Sequence, residues 1–441
     1  MDREAQYKRL FQLTSVVTDS FPEGGARFLD VLFKSILGNS ILLKVVTEQA
    51  IRKVRRAEKF NRFLVAADLN IGDSVIALSS VNALRKIFPT AEIDLVIKKS
   101  TNKFIEGNPD ISNLYPVYIG APFPTESDLT ALADLAGSKN YDLIINFSPM
   151  IEDKIFGKRN VVNFSIMAVE MVRGEGREEA VNNVSYQGYK FIEKIFHDSL
   201  PPGFGDQFSG ADIYLSEETV ESASEFLLSH EVSREKPIIM FNSDASSRFT
   251  RIPFDVQHHL LKRLSDFDCT ILLGDGHAKK FLGYELVYSL PAEITQKIVI
   301  VPASMEIDVY AALVDFADVF ITGDTGPLHL AAARKFSRGS GKSLRNKTAI
   351  FSIFGGTPPR IYGYDSKTVG FLAANQDAPS RAFISKSLCR NITCINKMAK
   401  TCREVRCFKP LDQDEIISEV ASHLESIRSL HIRQKDFISP K

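Results

Sequence analysis

The sequence contains no tryptophan, an absence that carries no functional message, and it has no excess of either charge. Lys+Arg and Asp+Glu both number 54 in 441 residues, so no global field draws the chain to nucleic acid or to a membrane. Any electrostatic role must then be local. There is no apolar run of about 18 residues, which excludes a spanning helix. The opening residues, MDREAQYKRLF, are charged and lack an apolar stretch ending in small residues, so they do not read as a secretory signal. No unit of about 20–50 residues recurs, which excludes a solenoid. Cysteine is sparse, with five in all and four of them crowded late. That usage suits a reducing compartment better than a disulfide scaffold. These absences give the expectation of a protein made and kept in the cytoplasm, with no nucleic-acid partner.

What is present is ordinary globular material: 44% hydrophobic and 24% charged residues, in a chain long enough for a large core. Residues 1–60 are expected to form a helical extension. There Val46, Ala50, Val54 and Ala57 recur at helical spacing among Arg52, Lys53, Arg55, Arg56 and Lys59. Such a basic amphipathic helix either packs against its own domain, which we favour, or lies peripherally on an anionic membrane face. From Phe63 the pattern becomes α/β. Apolar strands alternate with helical patterns, which predicts parallel, doubly wound sheets. We place a first Rossmann-like domain over 61–200 and a linker region over 201–235. A second Rossmann-like domain follows over 236–411, and a C-terminal helix and tail over 412–441. That last helix could cross back to the first domain.

The most informative stretch is DVFITGDTGPLHLAAA, residues 318–333. It reads as a buried strand, a tight glycine turn and a helix starting near Pro327, where a missing N–H costs nothing. Two readings fit the turn. Its Asp and Thr cap a helix, or free backbone N–H groups there face a phosphate above the strand's carboxyl end. Gly72-Asp73 closes an earlier strand–helix turn in the same sense, and its carboxylate is either a helix cap or a general base facing a cleft. Residues 242–253, NSDASSRFTRIP, follow another strand and gather Ser246, Ser247, Arg248, Thr250 and Arg251. They form either a polar surface loop or a seat for phosphate oxygens, which Arg binds bidentately. Gly355-Gly356-Thr357 permits close backbone approach to a ligand, although a plain turn explains it equally.

Two other patterns need separate treatment. Gly339-Ser340-Gly341-Lys342-Ser343 invites a phosphate-loop reading, but the glycine required five residues before Gly341 is Phe336. Residues 334–347 are therefore expected to be a basic, mobile insertion. Cys389, Cys394, Cys402 and Cys407 stand as C-x4-C-x7-C-x4-C. Four thiolates so close can hold a structural zinc or iron, and disulfides or free thiols are the alternatives.

With these residues in view, the two halves resemble glycosyltransferase family 9, the bacterial heptosyltransferases of lipopolysaccharide core synthesis. The resemblance runs from about Arg62 to Leu430. It is carried by Gly72-Asp73 with the downstream LRKIFPTAEID, and by DVFITGDTGPLHLAAA followed by IFGGTPP. It implies a GT-B fold, two Rossmann-like domains facing a cleft, and an inverting transferase that needs no cofactor for catalysis. The implied donor is a nucleotide sugar, usually ADP-heptose, and the implied acceptor a lipid-linked core glycan or a protein hydroxyl. Asp73 falls on the family's catalytic base. Asp324, Thr325, Gly326 and His329 fall on the donor motif, and Ser246, Ser247, Arg248 and Arg251 on the loop that contacts donor phosphates. The sequence departs from the family pattern in the first turn, which begins with Asp68 and Asn70 where a basic residue is common. It also carries Arg251-Ile252-Pro253 in place of Arg-Trp-Pro. Two competing expectations stay open: transfer of a different nucleotide sugar, and a non-catalytic sugar-nucleotide binder.

Overall fold

The computed structural model describes residues 51–52, 54, 60–67, 70–98, 101–117, 126–147, 153–157, 160–163, 183–207, 210–245, 249–276, 282–345, 348–355, 357, 359–365, 378–384, 406–409 and 411–438. Of the N-terminal basic helix, Ile51, Arg52 and Val54 fall within this set. Ile51 and Val54 are buried in the main core, so the described part of the helix packs on its own protein.

The first sheet begins with β1 (Arg62–Ala67), leads through helix α1 (Ile71–Ile87) to β2 (Glu92–Lys98), and adds β3 (Asn113–Val117). Helix α2 (Glu126–Ser138) then carries the chain back to β4 (Leu143–Asn146) and β5 (Val161–Asn163). The spatial order is β3-β2-β1-β4-β5, all parallel. β1 is apolar almost throughout because both faces are covered. Val75, Ile76, Leu78, Val81 and Leu84 of α1 are buried, each contributing about 1.5–3 kcal/mol relative to exposure, an upper figure. The helix stops at Phe88 because Pro89 disfavours helical geometry in the residue before it. Arg85 then donates to the carbonyls of Pro89, Ala91 and Asp110, satisfying acceptors that the turn leaves open.

Helix α3 (Val184–Ile195) crosses α1 and is followed by β6 (Asp212–Leu215) and α4 (Glu217–Ser229). The second sheet opens with β7 (Ile238–Asn242), α5 (Phe254–Leu264) and β8 (Thr270–Gly274). It continues through α6 (Leu282–Ser289), α7 (Ala292–Thr295), β9 (Ile298–Val301) and α8 (Ile307–Phe316). Then come β10 (Val319–Gly323), α9 (Gly326–Ala332), β11 (Arg334–Ser337), β12 (Ser343–Arg345) and β13 (Ala349–Phe354). The series ends with α10 (Pro359–Tyr362), β14 (Ser380–Ile384) and α11 (Gln413–Ile438). Its order is β14-β13-β10-β7-β8-β9, again parallel. Both sheets therefore reverse direction of winding once, the first between β1 and β4 and the second between β7 and β10. Ligands of open α/β sheets bind above the carboxyl ends of the strands at such reversals.

One expectation is overturned here. Residues 334–345 are no loose insertion: β11 pairs in parallel with β6 and antiparallel with β12, making a third sheet. Two of its basic residues are paired with acids in place. Arg334 forks onto the Asp212 carboxylate at 2.7 and 2.9 Å, and the buried Lys335 ammonium lies 2.6 Å from Asp315. A buried ammonium paired in this way fixes a strand that its sequence would leave in solvent. The terminal helix does not turn toward the first domain over its described side chains. Ile416, Ile417, Val420 and Leu424 fill the core beneath the second sheet with α5, and Arg263 pairs with Asp414.

The cores explain how the halves are joined. One continuous apolar cluster runs from the inner faces of α1 and α3 through α4 and α8 to α9 and the near side of the second sheet. α5 and α11 close the far side of that sheet, and α2 closes the far side of the first.

Candidate functional site

At the first reversal the chain leaves β1 and enters α1 through Asn70, whose extended backbone starts the helix without a side-chain cap. Asp73 is thus the third residue of the helix, not part of a loop before it. Its carboxylate makes no hydrogen bond or ion pair with any described residue. Asp73 is exposed to solvent, yet protein crowds around it. That desolvation pushes its carboxyl up to about 6. Solvent at its exposed side screens the charge and works against that rise.

The second reversal is knit together by side chains. Asn242, at the end of β7, donates through Nδ2 to the Asp244 carbonyl at 2.8 Å and to Thr322 Oγ1 at 3.1 Å, and reaches Thr325 Oγ1 at 3.3 Å. Its Oδ1 accepts from the Tyr310 hydroxyl at 3.3 Å. Arg251 Nε lies 2.6 Å from Asp244 Oδ1, and its Nη2 donates to the Ala245 carbonyl. Gln257 donates to the carbonyls of Ser243 and Ile252, closing the loop from below. The Thr250 carbonyl packs directly over Gly323, so this loop is seated on the end of β10. Ser246, Ser247 and Arg248 lie outside the described residues. Arg251 is brought to the site, braced by Asp244.

The two reversals meet head to head. The start of α1 abuts the start of α9, and both contacts are made at glycine. A Cβ on Gly72 would stand 2.6 Å from His329 Cδ2 and 3.3 Å from Gly326 Cα, and one on Gly326 would stand 3.1 Å from Ile71 Cβ. No side chain fits between them. Asp324 and Thr325 sit in the turn that leads into α9, and the Thr325 backbone is extended with no side-chain cap. Burial pushes Asp324 up to about 6, Thr357 works against that rise, and the charge of Asp73 adds to it. The Thr357 hydroxyl is buried and faces the Asp324 carboxylate without closing a hydrogen bond of ordinary geometry. Repulsion between two carboxylates is felt by whichever ionises second. Asp73 and Asp324 are both raised to about 6, so charge on either one opposes ionisation of the other.

His329 is buried and neutral, its pKa lowered to about 4 by desolvation. Its Nδ1 lies 2.7 Å from the Tyr364 hydroxyl. Several residues at the site escaped the sequence reading. The Tyr362 phenol, on α10, is held above its usual pKa by burial and by the charges of Asp324 and Asp73. Tyr310 and Tyr364 are likewise raised by burial. The Tyr-Gly-Tyr that follows Pro359 was the available signal, and nothing local in it names a partner.

The cysteine cluster is brought into view at one position only. Cys407 is buried in the core of the second domain, while Cys389, Cys394 and Cys402 lie outside the described residues. Among the described residues, no group of three or more His, Cys, Asp or Glu side chains is placed to hold a metal ion. No helix among them is long and apolar enough to cross a membrane.

Two parallel, doubly wound sheets meet at their reversals, with a carboxylate on one side and a hydroxyl-lined glycine turn on the other, the arrangement expected of a GT-B fold. Residues 207–337 match the family model for glycosyltransferase family 9 (heptosyltransferase). A solved family 9 glycosyltransferase from Veillonella parvula is 17% identical, with 84% of this chain and 99% of that one covered at a TM-score of 0.60. The E. coli ADP-heptose lipopolysaccharide heptosyltransferase II is 16% identical, covering 83% and 99% at a TM-score of 0.54. At these identities the two structures bear on the fold alone. No curated protein matches the chain.

Proposed function

We propose that this glycosyltransferase moves a heptose from ADP-heptose to an acceptor hydroxyl, with inversion, using Asp73 as the base. The acceptor class we favour is a lipopolysaccharide core or similar glycan. The observation that carries this reading is the meeting of Gly72-Asp73 with Gly326 and His329, which sets a carboxylate without a partner among the described residues beside the second-domain turn. The family match over residues 207–337 supports the donor class, since it spans the turn and the Ser/Arg loop.

In this reaction the acceptor hydroxyl gives its proton to Asp73 as its oxygen attacks the anomeric carbon. The bond to the diphosphate breaks on the opposite face. A pKa of at most about 6 leaves Asp73 charged at neutral pH and able to accept a proton. Negative charge grows on the departing nucleoside diphosphate, and donors already in place there lower the barrier. Arg251, Thr325 and the backbone of the 323–326 turn are the described groups for that task, with Ser246, Ser247 and Arg248 completing the loop. Asn242 fixes the orientation of Thr322 and Thr325, so little reorganisation is required as charge develops.

Incubation with a panel of nucleotide sugars, following release of the nucleoside diphosphate, tests the reading. ADP-heptose with a core-glycan acceptor is expected to give the fastest release. Release from another donor would replace the sugar assignment. Absence of release from every donor, with donor binding intact, would leave a sugar-nucleotide binder. Equal release by wild type and Asp73→Ala would remove Asp73 from its role.

A further inference from the structure

We propose that Tyr364 is a positioning residue: its hydroxyl joins the two domains and sets the start of α1, with Asp73, against α9. This rests on the glycosyltransferase reading for its catalytic consequence, though not for its structural one. The Tyr364 hydroxyl has one partner in each half of the molecule. It lies 2.7 Å from Nδ1 of His329 on α9 and 3.1 Å from Oγ of Ser185 on α3. All three side chains are buried, at 6%, 5% and 2% exposure, so neither contact is exchanged for water at little cost.

Both ends of the chain of hydrogen bonds lead to Asp73. On one side, Ser185 stands in the first turn of α3, capped by Asn183, whose Nδ2 also donates to the Gly363 carbonyl beside Tyr364 at 2.7 Å. α3 in turn is fixed to α1: Ser79 donates to the Ser185 carbonyl at 2.8 Å and Ser80 to the Gly188 carbonyl at 2.7 Å. On the other side, the His329 ring packs edge-on to Tyr364 and lays its Cδ2 against Gly72, next to Asp73. A rotation of the His329 ring or a slide of α3 would move the residue before the base. Tyr364 holds both at once.

Tyr364→Phe keeps the ring and removes only the shared hydroxyl. Tyr189→Phe is the control, because Tyr189 is also fully buried and its hydroxyl donates to the Phe204 carbonyl away from the domain junction. Hydrogen–deuterium exchange of the peptide covering residues 70–76 is the first readout. It should quicken about ten-fold in Tyr364→Phe, the scale of losing one buried hydrogen bond, and stay unchanged in Tyr189→Phe. In turnover, kcat should fall about ten-fold while the calorimetric Kd for ADP moves less than about three-fold.

Ser185→Ala tests the link from the other side and serves if Tyr364→Phe does not fold. The double variant should be no slower than Tyr364→Phe alone, since Tyr364→Phe already removes the contact that Ser185→Ala would. Unchanged exchange at 70–76, equal quickening in Tyr189→Phe, or additive losses in the double variant would each overturn the proposal. If wild type turns over no nucleotide sugar, the proposed function fails, and the exchange comparison still decides the role of Tyr364.

Discussion

At the first reversal, between β1 and β4, the acid stands without a partner among the described residues. At the second, between β7 and β10, nearly every polar side chain is tied to another. Asn242 alone connects β7, β10, α8 and the turn before α9. The proposed transfer accounts for the difference. A turn that receives a leaving group of growing charge gains from dipoles fixed in advance. A base must be free to take a proton from something that arrives, so on this proposal the partner of Asp73 is the acceptor. The glycine-to-glycine contact between α1 and α9 is what brings the free side to the fixed one.

Asp73→Asn breaks this comparison most severely. It keeps shape and removes basicity, and kcat should fall by about 10²–10⁴-fold, the usual worth of a positioned base. Binding of ADP by calorimetry should be unchanged. A drop of less than about three-fold would show that the acceptor is activated elsewhere. The same variant has a stability signature. The folded-state pKa of Asp73 is raised from 3.8 to about 6, so the native state favours the proton. The associated stability is present below the unfolded value and is lost as pH rises through about 6. Asp73→Asn should therefore melt higher than wild type at pH 7.5, with the difference vanishing near pH 3.5.

Next in size is Gly72→Ala. The new Cβ would lie 2.6 Å from His329 Cδ2 and 3.3 Å from Gly326 Cα, and the second of these is backbone that cannot step aside. We expect a loss of about 1–3 kcal/mol in urea unfolding and a fall in kcat of about ten- to a hundred-fold as the base is displaced. Gly137→Ala on α2 is the matched control, because nothing lies within 4 Å of a Cβ there. It should be neutral or slightly stabilising, by up to about 1 kcal/mol. Equal behaviour of the two variants would mean that the helix starts are not in fixed register.

The fixed side is probed by Asn242→Ala, which removes the shared hub while leaving both carboxylates in place. ADP affinity should weaken about ten-fold, consistent with loss of orientation at Thr322 and Thr325. The pH dependence of turnover should not change. A shifted profile would mean that Asn242 acts on the acids and not on the donor turn.

How much of this was legible in the sequence depends on how far away the partner of each residue lies. The strands of both sheets showed as apolar runs because both faces are covered, and a run of four to six such residues needs no remote information. β11 did not show. Arg334, Lys335 and Ser337 look like surface, and become strand only because Asp212 lies 122 residues back and Asp315 lies 20 back. Asp73 was legible as an acid at a strand–helix junction, since it follows a strand and a glycine. Its place inside the first helical turn was not, because Asn70 gives no side-chain cap that would mark the boundary. The tie between Tyr364 and Ser185 spans 179 positions, and neither residue type announces the other.

The smallest expected effect sharpens the comparison between the two acids themselves. With Asp73 as the proposed base, the acid limb of turnover should be its own, with a midpoint no higher than about pH 6. Activity rises with pH through that limb, because the base works deprotonated. In Asp324→Asn the neighbouring carboxylate is gone, yet desolvation, the main cause of the Asp73 shift, is unchanged. The limb should then move toward acid by no more than about half a unit, whatever the loss in absolute rate. Rate measurements from pH 4.5 to 8 on both proteins decide it. A displacement of more than about one unit would mean that Asp324 ionises first and Asp73 bears the repulsion. In that case the second reversal, not the first, supplies the proton acceptor.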